Sequence, residues 1–376
     1  MAYNFKSQIE TIEKIIPHLY CEIYIPIGDL SMEAYVTEEP VSFDAKTSGE
    51  KKFLRKGDVW GKLWDCGWFH FTGSVPPAAK GEKVVLYIDI HGELEVYNKD
   101  GVALRGLTSG SCLKISSDFG CFGIRKRTYP ICDSAKGGEV IDLWADAGCN
   151  YITGDGGGQR PDVGKIEFAD ICICRDNVKA LFYDFLVLYD LMKAIPSESA
   201  RCHRLRQSLF EAASCLYDYS DEEIEKASEI LKKELDKKSG DTDLTFTALG
   251  HAHIDLAWHW PLRETMRKAV RTFTNGLRSM EQYPDYRFGA SQVPLYAWVK
   301  ELQPKVYEQV KERVKEGRWE VQGAMWCEPD ANITGGESFV RQILYGKRFF
   351  RQEFGEDMKV LWLPDVFGYS AAFLRS

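Results

Sequence analysis

The chain has 376 residues, 44% of them hydrophobic, and 48 basic against 56 acidic side chains give a net charge of −8. That length holds two or three domains with ordinary cores, and the charge argues against nucleic acid or an anionic membrane as a partner. Residues 1–8 do not read as a signal peptide, and no apolar run is long enough to span a bilayer. The 11 scattered cysteines lack a CxxC pair and fit reduced thiols in a cytoplasmic protein.

Residues up to about 175 carry short apolar runs separated by turn residues. The runs at 68–75, 83–90, 93–97, 139–145 and 167–174 read as strands, and Asn98-Lys99-Asp100-Gly101 as a hairpin turn. Many short strands at this spacing imply an antiparallel β-sandwich of jelly-roll type over residues 1–175. Trp60 and Trp64 could stack on a sugar, but packed aromatics are the simpler reading. Cys172 and Cys174 alternate on the closing strand and carry no metal role.

Residues 176 to about 236 read as helical, with Leu181, Phe182, Phe185, Leu186, Leu188 and Leu191 forming an apolar face. Ser220-Asp221-Glu222-Glu223 looks like a helix start. The charged run from Lys232 ends in Ser239-Gly240-Asp241, where a helical linker (176–241) gives way to a third domain (242–376).

The run 244–249 reads as a buried strand, followed by Gly250-His251-Ala252-His253-Ile254-Asp255-Leu256-Ala257-Trp258-His259-Trp260. Alternate residues on extended backbone point the same way, so His251, His253 and Asp255 can converge on one point. Imidazole with carboxylate suits a zinc-class cation. Beyond, a helix at 261–282, a strand at 286–291 ending at Gln292, a long helix at 293–317, a strand at 319–322, a helix at 337–354 and a fourth strand at 359–364 alternate. That alternation implies right-handed crossovers and a parallel sheet, with the ligand site beyond the carboxyl ends of its strands. Gln292, Asp330 and Asp365 fall there. Read alone, Asp365 also suits a helix N-cap, Asp330 a turn residue after Pro329, and Trp258 a core aromatic.

Four pieces of this third domain resemble the opening of the catalytic domain of glycoside hydrolase family 38, the α-mannosidases, most of all the cytosolic and bacterial type. They are Gly250-His251-Ala252-His253-Ile254-Asp255-Leu256-Ala257-Trp258, Met325-Trp326-Cys327-Glu328-Pro329-Asp330, Gly336-Glu337-Ser338-Phe339-Val340-Arg341-Gln342 and Trp362-Leu363-Pro364-Asp365-Val366-Phe367-Gly368-Tyr369-Ser370. The first 175 residues are similar to the N-terminal β domain of the same proteins. The resemblance implies a barrel-like parallel α/β catalytic domain, here its first four βα units, and retaining hydrolysis of terminal α-mannosides of oligosaccharides with Zn2+ in the sugar site. It makes His253, Asp255 and Asp365 the metal ligands, Asp365 also the nucleophile, Trp258 an aromatic wall beside the sugar, and Asp330 a substrate contact. His251 is left to orient a neighbour. The resemblance also places a closing histidine ligand and the acid/base aspartate downstream of Ser376, so the chain reads as an incomplete N-terminal fragment, inactive and poorly soluble alone. Self-association is left open.

Two other classes stay in view. A metal-dependent polysaccharide deacetylase would need His251 as a third ligand, and a non-catalytic carbohydrate-binding protein would rest on the sandwich alone.

Overall fold

The computed structural model describes residues 5–109, 126–150, 163–238 and 245–371. The first element is a helix, α1 (Phe5–Cys21), and twelve strands follow: β1 (Tyr24–Asp29), β2 (Ser31–Thr37), β3 (Glu50–Leu54), β4 (Val59–Lys62), β5 (Cys66–Ser74), β6 (Val84–Asp89), β7 (Glu93–Tyr97), β8 (Ala103–Thr108), β9 (Thr128–Cys132), β10 (Val140–Gly148), β11 (Val163–Lys165) and β12 (Phe168–Cys174). They form a four-stranded sheet, β1-β12-β6-β9, a six-stranded sheet, β3-β2-β5-β10-β7-β8, and a small pair, β11-β4. Every pairing among them is antiparallel.

The expected hairpin joins β7 to β8. The Asn98 side-chain oxygen accepts from the Asp100 and Val102 amides at 2.9 Å each, and Gly101 takes the positive φ, 71°, that a side chain would oppose. Along β5, alternation sends side chains to two cores. Phe69 and Phe71 enter the space between the sheets with Leu86, Leu94 and Ile171, while Trp68 faces the other way, into the third core. Trp60 is the packed aromatic: it is fully buried, edge-on to Phe69, and donates to the Ile90 carbonyl at 2.9 Å.

The strand-only reading of residues 1–175 misses α1. Its apolar residues Ile12, Ile16 and Leu19 recur at helical spacing and pack on the helices that follow the sandwich. The stretch expected as one helical linker is three helices, α2 (Asp176–Ala194), α3 (Ala200–Ala213) and α4 (Asp221–Leu235). Pro196 follows α2, and the Ser199 hydroxyl caps α3 by accepting from the Cys202 amide at 3.1 Å. The expected division at 241 lies outside the described residues.

The third part alternates β13 (Gly250–His251), α5 (Leu262–Gln282), β14 (Phe288–Ala290), α6 (Val293–Leu302), α7 (Pro304–Lys315), β15 (Trp319–Val321) and α8 (Gly336–Phe354). The strands pair in parallel in the order β13-β14-β15. Three expectations change. The strand expected over 244–249 shrinks to Gly250–His251: residues 245–249 are irregular and exposed, Phe246 to 95%, with no strand partner among the described residues, and Leu244 lies outside them. The single helix expected over 293–317 breaks before Pro304, which pushes Gln303 out of helical geometry to φ −140°, ψ 67°. The fourth strand does not form: residues 359–364 pass beside Gly323 without a backbone ladder. An outer strand gains ladder bonds on one side only, and the sheet has three strands among the described residues.

Helix α5 docks on the outer face of the six-stranded sheet. Gly106 of β8 allows the approach, because a Cβ there would sit 2.9 Å from both Arg271 Cβ and the Asn275 amide nitrogen. The contact is ionic at its centre. Arg267 grips Asp146 of β10 with two bonds, 2.9 and 2.7 Å, and reaches Glu264 at 3.0 Å. Arg271 contacts Glu264 and, at 3.0 Å, Glu93, which Lys268 also contacts. Asn150 bridges Glu93 and Glu264 at 2.8 and 2.7 Å. Burial would raise the Glu93 carboxyl, but Arg271 and Lys268 overcome it and hold the group well below the usual range.

Arg267→Ala should strand a buried Asp146 carboxylate. We expect a loss of about 3–5 kcal/mol in urea unfolding; a loss under about 1 kcal/mol would contradict the clamp. Glu95 beside the network behaves oppositely: burial pushes its carboxyl up to about 8. The folded chain then holds a proton that the unfolded chain releases near pH ~4.3. That penalty is absent below ~4.3, grows with pH, and is complete above about 8. Glu95→Gln should therefore gain stability relative to the parent between pH 5 and 8, and a pH-independent difference would refute the assignment.

Candidate metal centre

The loop from Ala252 to Pro261 leaves β13 at the carboxyl end of the parallel sheet and carries His253, Asp255 and Trp258. Two bonds shape it. Thr265, on the first turns of α5, donates its hydroxyl to the Leu256 carbonyl at 2.7 Å and receives the Trp260 indole N–H at 3.0 Å. Gln292, just past β14, donates to the Ile254 carbonyl at 2.8 Å. Gln292 is buried and sits at φ 66°, a conformation that costs a residue with a side chain about 1–3 kcal/mol. The sequence placed Gln292 on the rim; the structure makes it a brace for the loop.

His253 is the hub. Its Nε2 lies 3.3 Å from Asp255 Oδ1 and 3.5 Å from Asp365 Oδ2. His253, Asp255 and Asp365 each offer a ligand atom, all within 4.8 Å of one another. The other ring nitrogen, Nδ1, forms an ion pair with Glu328 Oε2 at 2.9 Å. Glu328 is nearly buried, and its Oε1 accepts the Ser291 hydroxyl at 2.6 Å. Contact with Glu328, opposed by burial and aided by Asp255, pushes the His253 imidazole up to about 9.

Three carboxylates around one imidazole carry excess negative charge, which a cation would balance. Ligand atoms of a tetrahedral zinc ion at ~2.0–2.2 Å stand roughly 3.3–3.6 Å apart. The two Nε2–oxygen separations, 3.3 and 3.5 Å, fall in that range. The donor set of one imidazole and two carboxylates also suits zinc.

The remaining expected residues separate. His251 is not in the cluster: it packs at 5.2 Å against the Trp362 ring, and burial pushes its imidazole down. Asp365 stands in a turn, and among the described residues no helix begins there for it to cap. Trp258 is 54% exposed, with Trp260 edge-on to it, so it is not a core aromatic. Asp330 turns away into its own loop, where its Oδ1 accepts the Asn332 and Ile333 amides at 2.8 and 3.2 Å. Glu328 went unremarked in the sequence, although it stands in the Trp326-Cys327-Glu328-Pro329 piece. Its signal in the sequence is an acid inside the Met325–Asp330 piece, between Cys327 and Pro329.

His253, Asp255 and Asp365 open on a cavity of about 690 Å³. Trp258 and Phe367 also line it, as do Thr108 and Lys126 of the sandwich. Among the described residues no helix is long and apolar enough to cross a membrane.

A cation that takes His253 Nε2 as a ligand must displace a proton from a ring whose affinity is centred near pH 9. Calorimetry near neutral pH in buffers of different ionisation enthalpy should show about one proton released per cation. Buffer-independent enthalpies would show that His253 does not enter as a ligand.

Residues 243–374 match the glycosyl hydrolases family 38 N-terminal domain, and residues 26–177 match the alpha-mannosidase jelly roll domain. The chain is similar to alpha-mannosidase G of Dictyostelium discoideum, 31% identical over 96% of this chain and 34% of that protein. It is similar to alpha-mannosidase 2C1 of Homo sapiens, 28% identical over 98% of this chain and 36% of that protein. It is also similar to alpha-mannosidase of Saccharomyces cerevisiae, 34% identical over 86% of this chain and 30% of that protein. The chain thus spans about a third of the length of the curated relatives it matches.

Proposed function

We propose that this chain, whose residues 243–374 match the glycosyl hydrolases family 38 N-terminal domain and whose residues 26–177 match the alpha-mannosidase jelly roll domain, forms the metal-bearing part of a zinc-dependent retaining α-mannosidase acting on terminal α-mannosides of oligosaccharides. The observation that carries this reading is the convergence of His253, Asp255 and Asp365 on one point at the mouth of a cavity with an exposed indole. We further propose a division near 175 and 241 into sandwich, helical linker and catalytic segment. In that division the three parallel strands open a larger barrel-like α/β domain.

His253, Asp255 and Asp365 would hold the zinc ion. When bound, it supplies charge stabilisation to a sugar hydroxyl and lowers the proton affinity of the carboxylates around it. The protein's own groups do the rest. The exposed face of Trp258 stacks on the apolar side of a pyranose and sets its depth. Asp365, the most exposed of the three ligand candidates, lines the cavity. It attacks the anomeric carbon as the bond to the leaving oxygen breaks, and the glycosyl–Asp365 ester is then hydrolysed with net retention. A second carboxyl protonates the departing oxygen and later activates water; no described residue is assigned that role. Asp330, spent on its own turn, is a weaker candidate for substrate contact than Trp258.

The deacetylase reading asks His251 to be a ligand, and its packing against Trp362 speaks against that. The purely sandwich-based binding reading leaves the triad without a purpose.

In the whole protein, a slow-leaving fluorinated mannoside should trap a covalent adduct, and peptide mapping should place it on the Asp365 peptide. Asp365→Ala should lower kcat by more than ~10³-fold and weaken metal binding together. A label on another carboxylate, or products of inverted configuration, would overturn the assignment.

A further inference from the structure

We propose that Glu328 is a positioning residue for the metal centre: its carboxylate holds the His253 ring through Nδ1, so that Nε2 is committed to the side of Asp255 and Asp365. The inference rests on the reading of His253 as a metal ligand.

Four observations carry it. First, the two nitrogens of His253 face different partners, Nδ1 toward Glu328 at 2.9 Å and Nε2 toward the two aspartates at 3.3 and 3.5 Å. An imidazole whose Nδ1 carries the proton toward a carboxylate keeps the lone pair on Nε2, which is the form a metal needs. Second, Glu328 Oε2 and His253 Nδ1 are both buried, and they face each other at 2.9 Å. A buried carboxylate without a counter-group is costly, so its place beside Nδ1 needs the imidazole to be there. Third, Glu328 is braced from the sheet: Ser291, immediately after β14, donates its hydroxyl to Oε1 at 2.6 Å. The ring is thereby referred to the same rigid strand that positions Gln292 and, through it, the Ile254 carbonyl. Fourth, Glu328 does not belong to the group of ligand atoms within reach of one ion, so its role is exerted through the ring.

Chelator-competition titration of Zn2+ against the metal-free protein, with the variants Glu328→Ala, Glu328→Gln and His253→Ala, tests this. Loss of a carboxylate behind a ligating histidine typically weakens metal binding ~10–100-fold, and we expect that range for Glu328→Ala. Glu328→Gln keeps the shape and an acceptor oxygen but drops the charge, so its affinity should fall between the two. Urea unfolding of the metal-free proteins reports the fold separately. A folded Glu328→Ala variant with parental zinc affinity would overturn the inference while leaving the metal site intact. Should that variant not fold, Glu328→Gln decides alone, and parental affinity there overturns the proposal equally. If the parent and all variants bind no zinc, the metal reading falls and the inference with it, a pattern distinct from a silent Glu328.

Discussion

The position of the metal-centre loop depends on helix α5 lying against the sandwich, and the buried side chains of Arg267 and Arg271 fix it there. Between sheet and helix, Glu93, Asp146 and Glu264 face Arg267, Lys268 and Arg271, so acids and bases balance. A fourth acid, Glu95, sits beside them and holds its proton through neutral pH. Such a buried network adds little net stability over apolar packing, yet losing one member is severe, so it sets position more than it sets stability. Position is what matters here. Thr265 stands among these charges on the same helix and holds the Leu256 carbonyl, two residues from Trp258 and one from Asp255. The sandwich therefore contributes to the site twice: as the seat of α5, and as part of the lining of the cavity on which the metal-centre residues open.

Within that frame His253 carries conflicting demands. Three carboxylates draw a proton onto the ring, while a metal would require one nitrogen bare. The conflict is settled by geometry, because the two demands fall on different nitrogens. Glu328 is the buried partner and the two aspartates are the more open ones, the arrangement expected where the outer group orients and the inner groups ligate. The strained backbone of Gln292 has a place in the same scheme, since its side chain spans from β14 to the loop that carries His253.

Much of this was legible in the chain itself, because the residues concerned repeat at the right spacing. The sandwich strands and the Asn98–Gly101 turn follow from period-two patterning and from turn chemistry that acts within four residues. The pair His253 and Asp255 could be read as neighbours because alternate residues share a side. What could not be read depends on partners distant in sequence. Helix α1 has clear helical spacing, but its face is finished only by α2–α4. Residues 359–364 have strand-like composition and find no ladder, since pairing depends on a neighbour and not on propensity. Asp330 and Glu328 stand two apart in one motif, yet one closes its own turn and the other reaches His253. Nothing local separates those fates; only the path of the loop after β15 does.

The central claim is that one cation sits between His253 Nε2, Asp255 and Asp365. Anomalous diffraction at the zinc edge from zinc-loaded crystals tests it most directly. The account predicts a single strong peak ~2.0–2.2 Å from His253 Nε2 and from an oxygen of each aspartate, with Glu328 still facing Nδ1. A peak liganded by His251, or none near His253, would contradict it.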